Sequence, residues 1–161
     1  MATEDPSEPE PISRVAIPGI GLDAEVVSAQ LVERDGGLTW EIPAFKVGHA
    51  EDTASAGEPG NAVLLGHVSS LHAGNVFKDL DRARIGDVVE LYAGNQRFEY
   101  RVTDVRSVAR TDVSPLQPTD TPAATLITCT GVWLPTLRDY TQRLVVRAAL
   151  VAPASGEAAG G

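Results

Sequence analysis

This sequence has little that would cross-link a chain or carry it through a membrane. It holds one cysteine in 161 residues. An intrachain disulfide is therefore excluded, and so is a structural zinc site built on several cysteines. Aromatic residues make up only 5% of the chain, and the 43% hydrophobic content is mostly Val, Ala and Leu. No apolar run approaches the length of a membrane-spanning helix. Residues 1–11 lack the basic and apolar regions of a signal peptide. The expectation is a cytosolic protein, or one whose membrane or secretion segment has been removed. Positive charge is scarce as well: 13 Lys and Arg against 22 Asp and Glu leave a net charge of −9. That balance argues against nucleic acid and against an anionic membrane surface as partners. No internal repeat is visible.

Turn formers, in contrast, are plentiful, with 15 Gly and 11 Pro. Many short apolar runs punctuated by Gly and Pro favour an all-β barrel or sandwich over a helical bundle. The length suits one domain with a core able to fold alone. Residues 1–11, acidic and containing Pro6, Pro9 and Pro11, read as a disordered tail, and the Ala/Gly-rich residues 153–161 as a second. Residues 12–152 are then the folded domain.

Within it, residues 13–17 and 22–27 read as strands separated by Pro18-Gly19. Asp35-Gly36-Gly37 marks a hairpin inside residues 30–40. A short strand is expected over 45–49, and a polar loop over 51–61. Residues 62–66, Ala-Val-Leu-Leu-Gly, form a nearly continuous apolar run, as expected of a strand buried on both faces. Residues 75–82 suit one or two helical turns with Val76, Phe77 and Leu80 on one face. A hairpin follows, with arms at 88–92 and 98–108. In the second arm Phe98, Tyr100 and Val102 alternate with Glu99 and Arg101. The expected total is seven to eight strands with one or two short helices.

The stretch Thr125-Leu126-Ile127-Thr128-Cys129 reads as a strand that delivers the cysteine to its end, where Thr130-Gly131 opens a loop. A lone cysteine is commonly a small buried hydrophobe. One at a strand end, facing a glycine-containing loop, is instead well mounted for chemistry. A nucleophilic thiol needs a base or a positive charge nearby, because at its free pKa of about 8.5 only a few per cent is thiolate at neutral pH. Three histidines are available. His49 and His72 lie in polar surroundings and read as surface residues. His67 ends the 62–66 strand, a place equivalent to that of Cys129. A histidine satisfied by backbone groups in the following turn is the competing reading. Arg143 opens the strand 143–149, in which Leu144, Val146 and Ala148 share one face and Arg143, Val145 and Arg147 the other. A guanidinium beside a thiol can bond an oxyanion, position a peptide carbonyl or favour the thiolate. A solvated strand-end arginine is the ordinary alternative. Arg147, further along the same face, is the weaker candidate.

Thr125-Leu126-Ile127-Thr128-Cys129 resembles the TLxTC signature of the sortases, cysteine transpeptidases of bacterial cell surfaces. Arg143-Leu144-Val145-Val146 is similar to the family's arginine strand, and Asn61 through His67 to its histidine strand. Phe77-x-x-Leu80 followed by Gly86-Asp87 is similar to the segment after it. The similarity runs from about residue 13 to 151.

The resemblance implies an eight-stranded β-barrel of the sortase type and a catalytic trio of His67, Cys129 and Arg143. Thr128 could add a hydroxyl contact to substrate, or simply pack in the core. Trp133, in an expected loop over 130–142, flanks the substrate groove or anchors packing. Family members cleave a motif like Leu-Pro-x-Thr-Gly between Thr and Gly. They hold the acyl part as a thioester and pass it to an amine of a cell-wall precursor or a pilin lysine. The implied partners are sorting-motif surface proteins and that amine, and the implied location is the outer face of a bacterial membrane, with the anchor truncated. The short chain, without an obvious lid sequence, resembles classes D, E or F more than the pilus-building class. Some members bind calcium through an acidic loop like residues 51–58; a solvated loop is the simpler reading here, and no metal or other cofactor is assigned. Two alternatives use the same residues differently: a peptidase releasing the acyl group to water, and a non-catalytic β-barrel binding module in which Cys129 is structural. The Ser-His-Gly-Cys run of L,D-transpeptidases is absent.

Overall fold

Period-2 runs of Val, Leu, Ile and Ala cannot bury both faces in one flat sheet, and here the sheet solves this by closing on itself. In a computed structural model, which describes residues 10–34, 37–41, 45–67, 76–136 and 139–152, the strands are β1 (Ile12–Ile17), β2 (Leu22–Ala29), β3 (Leu31–Arg34), β4 (Gly37–Trp40), β5 (Val47–Ala50), β6 (Asn61–Leu65), β7 (Val88–Ala93), β8 (Gln96–Ala109), β9 (Ala123–Leu134) and β10 (Asp139–Ala152). Eight of them form a closed barrel in the order β1-β2-β5-β6-β9-β10-β8-β7, while β3 and β4 make a separate two-stranded hairpin. Closure leaves the barrel without a free edge. Neighbours are antiparallel except for β2–β5 and β6–β9, which are parallel. The all-β expectation therefore holds. Short 3₁₀ turns at Pro18–Ile20, Leu80–Arg82 and Ser114–Leu116 are the helical elements among the described residues.

The interior is filled by one row of side chains from each strand, including Val15, Leu64, Leu91, Leu126 and Val146, all with 0% exposure. Each such side chain contributes about 1.5–3 kcal/mol relative to remaining exposed. Tyr100 is equally buried and its hydroxyl accepts a 2.8 Å bond from the Gly57 amide. Gly57 has φ +80, and a Cβ there would fall 2.4 Å from the Phe98 ring. That one position thus demands glycine twice over, and it pins the loop 51–60 to the barrel.

Several expectations change. The strand bearing Cys129 does not end at the cysteine: β9 runs on to Leu134. The expected loop over 130–142 is mostly the distal half of a β9–β10 hairpin, with Leu134 opposite Asp139 and Trp133 opposite Tyr140. Thr130-Gly131 reads as a break locally, but a long partner strand supplies hydrogen bonds that override the propensity. His49 is not a surface residue. It is half-buried in β5, with Nε2 2.8 Å from the Ala54 carbonyl. Burial outweighs that bond and lowers the pKa of its imidazole. The expected helical turns over 75–82 amount to a turn and the 3₁₀ segment Leu80–Arg82. The tails at 1–9 and 153–161, the Asp35-Gly36 turn, His72 and the side chain of Trp133 lie outside the described residues.

Candidate active site

The central wall of the barrel is β6–β9–β10. Its parallel register runs from Asn61↔Ala123 to Leu65↔Ile127. Its antiparallel register pairs Arg143 with Cys129, Leu144 with Thr128, Val145 with Ile127 and Arg147 with Thr125. Alternation sorts these residues. Ala62, Leu64, Ala124, Leu126, Leu144 and Val146 belong to the barrel interior. Val63, Leu65, Ile127 and Val145 form a second buried cluster on the outward face, with Ala50, under Val108 and Leu116. Strand β6 is therefore buried on both faces along all five residues, as its continuous apolar run requires.

The rows also fix where the chemistry-bearing residues meet. Cys129 and Arg143 are direct cross-strand partners. On the other side of β9, the Gly66 amide donates to the Ile127 carbonyl at 3.2 Å, extending the parallel register past Leu65↔Ile127. His67 lies two residues past Leu65, as Cys129 lies two residues past its partner Ile127. Adjacent strands are about 4.8 Å apart, so the three positions span about 10 Å, within reach of one peptide group. By strand alternation Arg143 continues the row of Val145; the side chain of Cys129 lies outside the described residues. His67 and Arg143 are half-buried, and Arg143 Nη1 donates to the Gln142 carbonyl at 3.2 Å.

Thr128 belongs to the opposite row. It is 3% exposed, and its hydroxyl donates to the Gly66 carbonyl at 2.8 Å. Arg147 is committed elsewhere too. Its Nε donates to the Thr125 hydroxyl at 2.7 Å, which in turn donates to Asn61 Oδ1 at 2.5 Å. Desolvation, and secondarily the positive charge of Arg106, lower the Arg147 pKa. Asn61 Nδ2 completes the set with bonds to the carbonyls of Pro115 at 2.8 Å and Gln117 at 3.0 Å. This buried polar knot ties the connection 110–122 across the outward face of the wall. Sequence reasoning missed it. Its trace was a polar Asn61 heading an apolar run, where a strand-favouring residue would be expected. Trp133 stands opposite Tyr140, beyond the register irregularity between Tyr140 and Gln142. Among the described residues, no group of three or more His, Cys, Asp or Glu gathers as a metal site. The Glu58 carboxylate in the acidic loop accepts from the Ser55 amide.

A β-barrel of this strand order, with Cys129 on β9 opposite Arg143 on β10 and His67 just past the end of the neighbouring β6, defines a class. A family model described as the sortase domain matches residues 15–151. The chain belongs to the sortase family. It is 28% identical over 142 residues to the sortase A of Bacillus anthracis, covering 87% of this chain and 60% of that protein. The chain thus spans less than two thirds of that relative's length. Among solved structures, it is similar to the Clostridium perfringens sortase D5 transpeptidase (TM-score 0.68, 24% identity, 88% of this chain and 79% of that one). Listeria monocytogenes sortase A gives a TM-score of 0.69 at 22% identity, covering 90% of each chain. A pilus-related sortase C of group B Streptococcus gives 0.70 at 23%, covering 89% of this chain and 68% of the other. These likenesses establish the fold. Among the described residues no helix is long and apolar enough to cross a membrane.

Proposed function

We propose that this chain is a cysteine transpeptidase. It cleaves a sorting motif of the Leu-Pro-x-Thr-Gly kind between Thr and Gly and transfers the threonyl acyl group to an amine. What supports this reading is the pairing of Cys129 with Arg143, and His67 two residues past the Leu65↔Ile127 pair, in a chain matched by the sortase model over residues 15–151.

In this reading the Cys129 thiolate attacks the threonyl carbonyl carbon, and the carbonyl oxygen takes the negative charge. Arg143 bonds that oxygen, a charge-assisted contact that strengthens as the charge develops. The tetrahedral intermediate collapses, the C–N bond breaks, and imidazolium His67 gives its proton to the departing glycine amine. A thioester remains on Cys129. An incoming amine then loses a proton to the neutral imidazole and attacks the thioester; the C–S bond breaks and the thiolate returns. The natural partners are surface proteins bearing the motif and an amine of a cell-wall precursor or a pilin, and the place of action is the bacterial cell surface. Trp133, near the end of β9, flanks the substrate.

The test is a library of Leu-Pro-x-Thr-Gly and Leu-Ala-x-Thr-Gly peptides, offered with and without a glycine or diaminopimelate-like amine. Mass spectrometry is expected to find an acyl group on Cys129 and an amine-ligated product. Release to water alone, even with amine present, would make the protein a peptidase. No acylation across the library, with Cys129→Ala indistinguishable from the parent, would leave only the binding-module reading.

A further inference from the structure

His67 lies just beyond the last residue of β6, where strand support gives out. The ladder with β5 ends at Gly48↔Leu65. Several contacts from the inner side help to hold residues 66 and 67. The Gly66 carbonyl accepts from the Thr128 hydroxyl at 2.8 Å, and the Gly66 amide donates to the Ile127 carbonyl at 3.2 Å. Further support comes from Phe77, which is 1% exposed within the interior cluster. Its amide donates to the His67 carbonyl at 2.9 Å. Its ring lies on the bare α-carbon of Gly66: a Cβ there would come within 2.7 Å of Cδ2, 2.9 Å of Cγ and 3.0 Å of Cε2. Gly66 needs no positive φ, so this close approach, and not backbone conformation, is what calls for glycine.

We propose that Phe77 is a positioning residue for His67: its ring against Gly66 and its amide on the His67 carbonyl set the place of the imidazole relative to Cys129. Packed carbons normally lie about 3.5–4.0 Å apart. A methyl group at position 66 would therefore push the chain or the ring by about 1 Å. Displacement of that size near a reacting pair can cost about 100-fold in rate. The kinetic part of this inference rests on the transpeptidase reading; the geometric part does not.

Four proteins test it: Gly66→Ala, Phe77→Val, the double variant and His67→Ala, each checked for folding by circular dichroism and melting. Two readouts are needed, steady-state transpeptidation and the pH profile of Cys129 alkylation by iodoacetamide. Gly66→Ala is expected to lower kcat about 10- to 100-fold with KM within about twofold. Its alkylation profile is expected to move toward that of His67→Ala. Phe77→Val removes the ring atoms that a methyl at 66 would strike. The double variant is therefore expected to do no worse than Phe77→Val alone, a strong departure from additivity. A folded Gly66→Ala with parental kcat and alkylation profile would overturn the proposal, as would a double variant showing the full product of both losses. If Gly66→Ala fails to fold, recovery of folding in the double variant supports the contact, and a folded Phe77→Val that is unchanged in both readouts overturns the positioning role. If the parent never turns over peptide yet its alkylation profile responds to Gly66→Ala, the transpeptidase reading falls and the positioning of His67 stands.

Discussion

The wall of β6, β9 and β10 and the wall of β2, β1, β7 and β8 line the same interior but treat the outside in opposite ways. On the second wall the outward side chains form rungs of charge. Arg14 makes two bonds to Asp23, at 2.7 and 2.8 Å, and lies 4.6 Å over the Tyr92 ring. The Tyr92 hydroxyl donates to Glu90 at 2.9 Å, Arg97 to Glu90 at 2.8 Å, and Arg101 to Glu99 at 3.2 Å. Water reaches much of this ladder, so each rung can be lost without stranding a buried group. On the first wall the outward row is apolar at Val63, Leu65, Ile127 and Val145, and its polar members are buried at Asn61 and Thr125. There the polar atoms satisfy one another and the backbone: Asn61 Nδ2 bonds two carbonyls, and the Thr125 hydroxyl bonds Asn61 and Arg147. A wall that must hold three positions together is built from groups that cannot move independently, while the solvated wall has no such duty.

That contrast can be broken or sharpened experimentally. The largest effects are expected in the row itself. Cys129→Ala and His67→Ala should abolish acyl-enzyme formation, and Arg143→Ala should lower kcat/KM by about 100- to 1,000-fold, the range for a lost oxyanion contact. Full activity in any of the three would remove that residue from its role. Next comes Asn61→Ala, which leaves the Gln117 carbonyl without its side-chain donor, leaves the Pro115 carbonyl only the longer bond from Arg147, and removes the acceptor of the Thr125 hydroxyl. It should cost about 2–4 kcal/mol in urea unfolding. Thr128→Val keeps the shape but strips the Gly66 carbonyl of its hydroxyl donor, for a cost of about 1–3 kcal/mol. A loss of peptide affinity without any loss of stability would instead return Thr128 to substrate contact.

At the seam between the walls sits His49, whose pKa burial lowers from the ordinary 6.5. The unfolded chain takes up this proton more readily than the folded one. The stability His49 contributes is therefore complete above about pH 6.5 and declines as pH falls below it. His49→Gln should flatten unfolding free energy between about pH 7 and 5; an unchanged slope would show that other groups carry it. The smallest effect belongs to the solvated wall. Asp23→Asn should shift the melting midpoint less than any substitution above, and added salt should erase the difference. A shift comparable to that of Asn61→Ala would end the contrast between the walls.

Much of this was legible from residues alone. The two-sided apolar run at residues 62–66, the alternation at Phe98, Tyr100 and Val102, and the sorting of Arg143, Val145 and Arg147 from Leu144, Val146 and Ala148 all appear in the fold as read. They reflect burial periodicity, which a sequence displays directly. The length of β9 was not legible, because Thr130-Gly131 looks like an ending until a fourteen-residue partner strand, β10, is known to lie beside it. Arg143 and Arg147 share one face in the sequence pattern, and Arg147 ranked second only by its distance along the strand. Only the connection 110–122 crossing the wall commits one of them to Thr125 and Pro115.

The order of residues thus determined an all-β fold, its inward and outward rows, and a histidine, a cysteine and an arginine as candidates for acyl transfer. Tertiary structure alone decided which strands became neighbours, and with that the nearness of positions 67, 129 and 143. It also brought Thr128 and Phe77 against Gly66 and His67 from inside. The reason is physical: alternation is a property of each strand, whereas register and close approach arise only when separate strands and turns pack against one another.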